Sequence, residues 1–293
     1  MTSPRDYEVV GMFGVRAGGG SPLAVVHDAE GLSTEEMGWI AGRLRVDETV
    51  FVLPPTVPRA THRVRVFTRR GESPFGGHSA VGTAVALVRS GRLPSGRVVQ
   101  ECGGKLLELE ADGERATVTA TGPPPVAALA PGPLLAAVGL TAGDLGEGPV
   151  LAAGFGPLFH LLPVREKAVE AARPDVAAMS GSGLPDLFVF HWDGTARIAT
   201  ARLFAPGYAI DEDPACASLG LALGVWLLEL GAVDGRTDFR IEQGAGMGRP
   251  AELECAVGVD PDSGALRAMV GGRAPQELTG ELAVPPAAVG QLP

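Results

Sequence analysis

The sequence predicts an α+β protein made of two similar lobes, and two observations support this fold class. Residues 67–91 and 204–231 follow one pattern: a strand containing Phe, an acidic loop, a Pro, a cluster of small residues, and an apolar helix closed by Gly. The elements around the second copy also follow the order of those around the first. A helix that is apolar on nearly all sides belongs in the interior of a domain. Each copy is therefore expected to supply the central helix of one lobe.

The first half of the chain is predicted to contain six strands and a helix besides the central one. The helix runs from Ser33 to about Arg45, because Ser33 is a suitable N-cap and Glu36 stands at the capping-box position. Strands are predicted where aliphatic and β-branched residues are bounded by turn residues. Their ranges are 7–13, 22–27, 47–55, 62–68, 98–109 and 115–121.

The two lobes are expected to meet at a proline-rich linker. The three consecutive prolines within residues 121–125 cannot join a sheet ladder and stiffen the crossing. The predicted domains are residues 1–122 and 128–293, with the last residues packing back on the first lobe. Beyond the linker, Asp193-Gly194 is typical of a β-hairpin turn. The remaining predicted elements are helices at 134–138 and 166–173 and strands at 150–164, 187–192, 196–203, 238–243, 252–259 and 265–271.

The start of each central helix is the predicted functional region. The first N–H groups of a helix lack partners within the helix and lie at the positive end of its dipole. Residues 76–79 and 216–219 could therefore each bind an anion, and two such ends facing one cleft would bind a small acidic molecule. The alternative interpretation is that the small residues only let a buried helix approach a sheet.

Composition excludes several function classes. The 293 residues are 45% hydrophobic with a mean hydropathy of +0.19, which is typical of a globular protein. A formal charge of −10 and a pI near 5.0 argue against nucleic-acid binding. Three scattered cysteines provide neither a disulfide framework nor the paired spacing of a metal site. No segment has the length of a membrane span or the pattern of a signal peptide, so a cytoplasmic protein is expected.

Five motifs in a fixed order resemble the PhzF-type isomerases of the diaminopimelate epimerase and proline racemase superfamily. Any one of these motifs is a weak signal, but together they span nearly the whole chain. They are GSPLAVV at 20–26 (usually GNPxAV), DETVFV at 47–52 (usually SETxFV), RVFT at 65–68 followed by PFGGH at 74–78, EDPACAS at 212–218 (usually EDPVTGSA), and QG at 243–244 followed by GRP at 248–250.

The resemblance implies a fold and a class of reaction. Each lobe would be an antiparallel sheet wrapped around its central helix, with the active site between the lobes and the chain forming a homodimer. The family uses no metal and no organic cofactor, and its best-known member moves a proton and double bonds in a dihydro-hydroxyanthranilate during phenazine formation. The implied partner is a small anionic substrate, and the implied setting is antibiotic or other secondary metabolism.

The resemblance also implies site residues. Glu48 falls where the family keeps its proton-transferring carboxylate, with His78 and Asp213 as further catalytic residues. A carboxyl group in a closed apolar cleft has its charged form disfavoured, which brings its pKa toward the range useful for taking and returning a proton. Simpler interpretations remain open: a solvated acid at a strand end, a histidine bonding the backbone, and an acid that only caps a helix. The predicted substrate-binding residues are Gly76, Gly77, Ser79, Cys216, Ala217 and Ser218.

Departures from the family pattern leave three function classes open. Asp47 replaces Ser, residues 79–80 replace Pro-Thr, and residues 216–217 replace Thr-Gly. Racemases of the superfamily use two opposed cysteines at the places of Gly76 and Cys216, and only the second is present here. A cofactor-independent isomerase is the leading hypothesis. The alternatives are an amino-acid epimerase or racemase and a non-catalytic protein that binds a small acid.

Overall fold

The structure, a computed structural model, describes residues 4–74, 76–77, 79–156, 158–181, 184, 186–206, 210–260 and 264–283. The chain divides into two compact units: unit 1 is Met1–Val118 with Gly272–Pro293, and unit 2 is Thr119–Gly271. Eighteen strands and six α-helices are formed by the described residues, which confirms the α+β fold class. None of these described helices is both long and apolar enough to cross a membrane.

The elements of the first part of the chain follow the predicted order. The helix α1 begins with the predicted capping box: Ser33 Oγ accepts the Glu36 N–H at 3.1 Å, and the Glu36 carboxylate accepts the Ser33 N–H at 2.8 Å. The elements are β1 (Arg5–Met12), β2 (Ser21–Val26), α1 (Thr34–Leu44), β3 (Glu48–Leu53), β4 (His62–Thr68), β5 (Gly71–Ser73), α2 (Ala80–Arg89), β6 (Gly96–Cys102), β7 (Lys105–Ala111) and β8 (Arg115–Thr121).

The second part of the chain repeats this order with two additional helices and two additional strands. Its elements are β9 (Val126–Ala128), α3 (Pro131–Ala137), β10 (Leu151–Ala153), β11 (Phe159–Pro163), α4 (Glu166–Ala171), α5 (Val176–Gly181), β12 (Leu187–Asp193), β13 (Ile198–Ala205), β14 (Ile210–Asp213), α6 (Ala217–Glu229), β15 (Thr237–Gln243), β16 (Ala251–Val259), β17 (Leu266–Arg273) and β18 (Gln276–Leu282). The additional helices are α3 and α5, and the additional strands are β9 at its start and β18 at its end.

Strand pairing shows that the two units share one plan. In unit 1, β1 lies antiparallel to β18 and β2, β2 is parallel to β3, and β4 is antiparallel to β3 and β5 but parallel to β6. In unit 2, β10 lies antiparallel to β9 and β11, β11 is parallel to β12, and β13 is antiparallel to β12 and β14 but parallel to β15. The parallel pairs occur where a helix separates two strands, as parallel connections require. The predicted similarity of the two lobes is therefore confirmed.

The central helices α2 and α6 are the buried helices that the sequence predicts. Every residue of α2 from Ala80 to Leu87 is buried, and α6 carries ten buried residues that include Trp226. A Cβ atom added at Gly220 would lie 2.8 Å from Cys255 Sγ, so a small residue there lets α6 approach its sheet. Part of the small-residue pattern thus serves packing, as the alternative interpretation held.

The structure divides residues 150–164, predicted as one strand, between β10 and β11, and it corrects two further predictions about single elements. Residues 98–109, predicted as one strand, are divided between β6 and β7, because Gly103 and Gly104 both adopt positive φ and form a two-residue hairpin turn. The acidic segments predicted as loops before the central helices are the short strands β5 and β14. Side-chain pairing across strands accounts for the second error, since an acidic residue in each segment meets an Arg on the preceding strand.

Candidate active site

Glu48 begins β3, opposite Thr68 of β4 and beside Leu23 of β2. Its neighbour Asp47 precedes the strand, and the half-buried Asp47 carboxylate lies 3.3 Å from the exposed guanidinium of Arg69. The Oε2 atom of Glu48 is buried and has no hydrogen-bond partner among the described residues. Glu48 is thus a half-buried acid with one carboxylate oxygen that the rest of the described chain does not use.

Gly76 is held on both sides by side chains from β6. The Gln100 side-chain amide donates to the Gly76 carbonyl at 2.9 Å, and the Gly76 N–H bonds the sulfur of Cys102. Gln100 and Cys102 are two residues apart, so they lie on the same face of their strand. A Cβ atom at position 76 would lie 2.6 Å from Val66 Cγ2, which leaves room only for glycine. The segment leading into α2 is therefore fixed to the interior by its backbone.

A network of hydrogen bonds with a defined direction supports the contact between Gln100 and Gly76. The Gly76 carbonyl can only accept, so Gln100 offers its nitrogen there and turns its Oε1 toward His62 Nε2 at 3.4 Å. His62 Nε2 must then carry the hydrogen, while the Thr61 hydroxyl lies 3.1 Å from His62 Nδ1 and donates to the Val99 carbonyl at 3.0 Å. Burial lowers the pKa of His62 to about 4, so the ring is neutral near pH 7. This hydrogen-bond network is therefore buried and uncharged, and its N–H groups donate from His62 through Gln100 toward Gly76.

Cys102 and Glu48 belong to the same neighbourhood as Gly76. Burial raises the pKa of the Cys102 thiol, the Gly76 N–H opposes this shift, and the negative charge of Glu48 adds to it. Cys102 therefore stays protonated near neutral pH and is unsuited to act as a base. Neither Gln100 nor Cys102 was predicted as a site residue, because β6 also carries Arg97 and Glu101 and its sequence therefore has no pattern that marks Gln100.

Ser79 supplies a second unused oxygen in unit 1. It is the N-cap of α2, but its hydroxyl makes no capping hydrogen bond, although N-cap serines commonly bond a helix N–H. The residue is 1% exposed, and its Oγ has no partner among the described residues. Gly77 is half-buried, and the predicted catalytic residue His78 lies outside the described residues. Buried unpaired polar atoms are rare in native proteins, so a free hydroxyl at this helix start marks a candidate binding group.

In unit 2, Asp213 ends β14 and occupies a buried position before α6. Its Oδ1 accepts the N–H of Ala215 at 3.1 Å, and its main-chain carbonyl accepts the side-chain amide of Gln243 at 2.6 Å. The carboxylate is therefore engaged with the backbone that leads into the helix, which is the role the simpler interpretation gave it. The Oε1 atom of Gln243 is buried without a partner in the described part of the chain.

The other predicted residues of unit 2 form the start of α6. Cys216 is its N-cap, is 6% exposed and makes no side-chain capping bond, while Ala217 is buried and Ser218 half-buried. Asp213 precedes the first residue of α6 by four positions, as Gly76 precedes that of α2. In both units, then, a buried Gln holds the carbonyl four residues before the central helix.

Arg–Glu pairs fix the strands that lead into these segments. Arg65 of β4 contacts Glu72 of β5 through two hydrogen bonds of 2.6 Å. Arg202 of β13 contacts Glu212 of β14 in the same manner at 2.9 and 2.7 Å. Bidentate pairs of this kind are among the stronger polar contacts in proteins. Within the described ranges no group of three or more His, Cys, Asp or Glu side chains could hold a metal ion.

Known proteins share this sequence and fold. An uncharacterized isomerase of Mesorhizobium japonicum is 31% identical over 298 residues, covering 95% of this chain and 98% of the relative. The trans-2,3-dihydro-3-hydroxyanthranilate isomerase of Pseudomonas aeruginosa is 31% identical over 253 residues, covering 84% and 88%.

Solved structures extend the comparison to the fold. A PhzF-family phenazine biosynthesis protein of Bacillus anthracis is 22% identical, has a TM-score of 0.85 and covers 97% of this chain and 100% of that one. A hydroxyproline epimerase of Agrobacterium vitis with bound trans-4-hydroxy-L-proline is 14% identical, has a TM-score of 0.63 and covers 99% and 95%. The family described as phenazine biosynthesis-like protein (PhzC-PhzF) matches residues 10–280. The chain therefore belongs to the phenazine biosynthesis-like family and is an isomerase of that family.

Proposed function

We propose that this isomerase moves a proton, and with it a double bond, on a small carboxylate-bearing ring without a cofactor, and that Glu48 carries the proton. The buried Oε2 of Glu48, which has no hydrogen-bond partner among the described residues, is the observation that supports this most directly. The Pseudomonas aeruginosa relative is named for such a ring, trans-2,3-dihydro-3-hydroxyanthranilate. The name of that compound supports two parts of the proposal: a small carboxylate-bearing ring as the substrate class, and a role in secondary metabolism.

The proposed chemistry needs only the groups of this chain. Glu48 as carboxylate takes a proton from one carbon of the substrate, and as carboxylic acid returns it to another position on the same face. No other reactant is required, because the proton taken equals the proton returned. We assign substrate binding to the segments that begin α2 and α6, with His78, Asp213 and Ser218 as the contacting side chains.

The local geometry favours isomerisation over racemisation by two thiols. A side chain at position 76 would collide with the fully buried Val66, so unit 1 has no room for the first racemase cysteine. Cys102 lies close behind Gly76, but its raised pKa keeps it a neutral thiol. Cys216 therefore has no thiolate counterpart among the described residues of unit 1.

The test is turnover of trans-2,3-dihydro-3-hydroxyanthranilate in deuterium oxide. Wild-type protein should convert it and incorporate solvent deuterium, whereas Glu48→Gln should lose roughly two to four orders of magnitude in kcat with binding nearly unchanged. Binding without any exchange in the wild type would identify a non-catalytic small-acid binder. Exchange with inverted configuration at one carbon would identify an epimerase.

The proposal includes the oligomeric state of the protein. The family resemblance supports a homodimer, which would have twice the chain mass of 30.0 kDa. Sedimentation equilibrium at several protein concentrations measures this mass directly, and a monomer at all concentrations would contradict the dimer.

A further inference from the structure

Asp186 and His160 form a buried pair in unit 2 that none of the sequence motifs includes. His160 Nδ1 lies 3.2 Å from Asp186 Oδ1 and 3.0 Å from the Asp186 carbonyl oxygen. A carbonyl oxygen can only accept, so Nδ1 carries the hydrogen and Nε2 holds the free lone pair of the neutral ring. Asp186 is fully buried, and the His160 side chain is 18% exposed. An oriented imidazole that is partly exposed is an arrangement that acid–base catalysis uses.

Strand register makes Asp186 the counterpart of Glu48. Arg65 and Arg202 are equivalent, because each forms a bidentate pair with a Glu on the next strand and each covers a Phe ring two residues further along. Arg65 faces Phe51 of β3, and Arg202 faces Val189 of β12. Three residues before these facing positions stand Glu48 and Asp186, respectively. The repeat thus places an acid at the same point of both units.

The two acids share a further property. Asp186 Oδ2, like Glu48 Oε2, is buried and has no hydrogen-bond partner among the described residues. A buried carboxylate oxygen without a partner is costly, and natural structures retain such groups mainly where function uses them. The hydrogen bond to Asp186 raises the pKa of His160, against the opposing effect of burial. Protonated His160 is therefore held more firmly than an isolated histidine would be.

We propose that Asp186 and His160 form a second proton-exchanging site, the counterpart in unit 2 of Glu48 in unit 1. This inference rests on the proposed function and extends it from one acid–base group to two. When the pair gives its proton to a substrate anion, His160 becomes neutral and Asp186 stays ionised. When it accepts a proton, His160 becomes imidazolium. Each step moves one proton and needs no further reactant.

The first test is a histidine NMR titration with 3-hydroxyanthranilate, the aromatic analogue of the relatives' substrate. His160 signals are assigned with the variant His160→Asn, and calorimetry establishes that the analogue binds. Binding should shift the apparent pKa of His160 by at least half a unit while that of His191, on β12 of the same unit, stays constant. An unchanged His160 in the saturated protein would overturn the inference. Absence of any binding would overturn the proposed function and, with it, this extension.

The second test compares three conservative variants by kinetics. Asp186→Asn keeps an oxygen for the His160 N–H, and His160→Asn keeps a donor for Asp186, so a purely structural role would be largely preserved in both. We expect each to lose roughly 10²- to 10⁴-fold in kcat, with altered pH dependence of kcat/KM and nearly unchanged unfolding midpoints. His191→Gln is the matched control and should keep wild-type rates, because His191 Nδ1 lies 3.3 Å from the Val164 carbonyl, away from the pair.

The kinetic outcomes separate the two proposals. Wild-type turnover together with inactive Glu48→Gln and fully active Asp186→Asn would retain the proposed function and overturn the second site. Active Glu48→Gln with inactive Asp186→Asn would overturn Glu48 as the proton carrier and leave the second site standing.

Discussion

At the scale of single residues, the two candidate proton carriers named by the sequence are Glu48 and Cys216. Cys216 lies at the N-terminus of α6, and its side chain makes no capping hydrogen bond. Glu48 has a buried carboxylate oxygen that lacks a hydrogen-bond partner among the described residues. The chemistry therefore points to Glu48, and a conservative change of the thiol should be tolerated.

Replacing Cys216 tests this ranking. Cys216→Thr and Cys216→Ser should change kcat less than tenfold, because Thr is the residue that the resembled family carries there. The measurement is initial-rate kinetics in parallel with Glu48→Gln. An inactive Cys216→Thr beside a nearly wild-type Glu48→Gln would require the single-carboxylate mechanism to be abandoned.

Position 76 tolerates no side chain in this structure. A Cβ atom there would lie 2.6 Å from Val66 Cγ2, and Val66 is fully buried and cannot rotate away freely. Gly76→Ala should therefore lower the free energy of unfolding by about 1–3 kcal/mol, the usual cost of overpacking. Urea denaturation measures the loss.

The double variant Gly76→Ala with Val66→Ala is the control for that clash. Removing the Val66 methyl groups makes room, so the double variant should be more stable than the sum of the two single changes predicts. Strict additivity, or a fully stable Gly76→Ala, would show that the clash does not exist.

At the scale of elements, β6 holds the segment before α2 by a side-chain hydrogen bond from Gln100, not by backbone pairing between strands. Gln100→Leu leaves the Gly76 carbonyl without its donor and His62 Nε2 without its acceptor. Leaving buried polar groups unpaired costs about 1–3 kcal/mol each, so the unfolding free energy should fall by that order. Hydrogen exchange of the Gly76 amide should also accelerate, because the segment loses one of its two anchors.

The matched control is Gln276→Leu at the start of β18, where the side chain is exposed. Its effect on the unfolding free energy should stay within about 0.5 kcal/mol. Equal effects of the two glutamine variants would remove the special role assigned to Gln100.

The buried histidine of this hydrogen-bond network, His62, makes the free energy of unfolding depend on pH. The pKa of His62 is about 4 in the folded protein, below the value of about 6.5 expected for the unfolded chain. Between these values the unfolded chain binds more protons, so acidification from pH 6.5 to 4 lowers the unfolding free energy. The lowered pKa of this one group corresponds to about 3 kcal/mol, fully present above pH 6.5.

Substitution of His62 isolates this contribution. His62→Asn removes the titrating ring, so the difference in unfolding free energy between wild type and variant should shrink as the pH falls from 6.5 to 4. Chemical denaturation at half-unit pH intervals measures it. A difference that stays constant over this range would contradict a neutral buried His62.

At the scale of the whole molecule, the internal repeat was predictable from the sequence, whereas contacts between distant side chains were not. Two buried helices with the same lead-in sequence show in the residue pattern, because a helix that is apolar all round is stable in water only when it is buried. The capping box at Ser33 was equally visible, because it depends on residues three apart. Gln100, Asp186 and His160 were not identified, since their roles depend on hydrogen bonds between residues distant in sequence.

The last strand shows the same limit. The pairing of β18 with β1 joins residues more than 250 positions apart, and Glu and Gly in β18 weaken its strand pattern. The predicted lobe boundaries, 1–122 and 128–293, stay a prediction, although the structure describes compact units of its own.

Removal of β18 should destabilise unit 1. A chain ending at residue 275 leaves the outer edge of β1 from Arg5 to Val10 without its partner. Unpaired ladder groups and uncovered apolar surface should cost several kcal/mol, a large part of a total stability of about 5–15 kcal/mol. A chain ending at residue 283 keeps β18 and serves as the control. Equal thermal unfolding midpoints for the two chains would refute a structural role for β18.

The position of β18 also fixes the order in which the protein can be completed on a ribosome. Unit 2 is one continuous segment, Thr119–Gly271, and has all its strands once that segment has emerged. Unit 1 is started first but lacks the partner of β1 until Gln276–Leu282 has been synthesised. At the usual pace of translation, about 5–20 residues per second, its open strand edge waits roughly 10 to 30 seconds after Val118 has been added. The nascent chain thus carries an exposed strand edge, prone to pairing with other chains, until β18 has been synthesised.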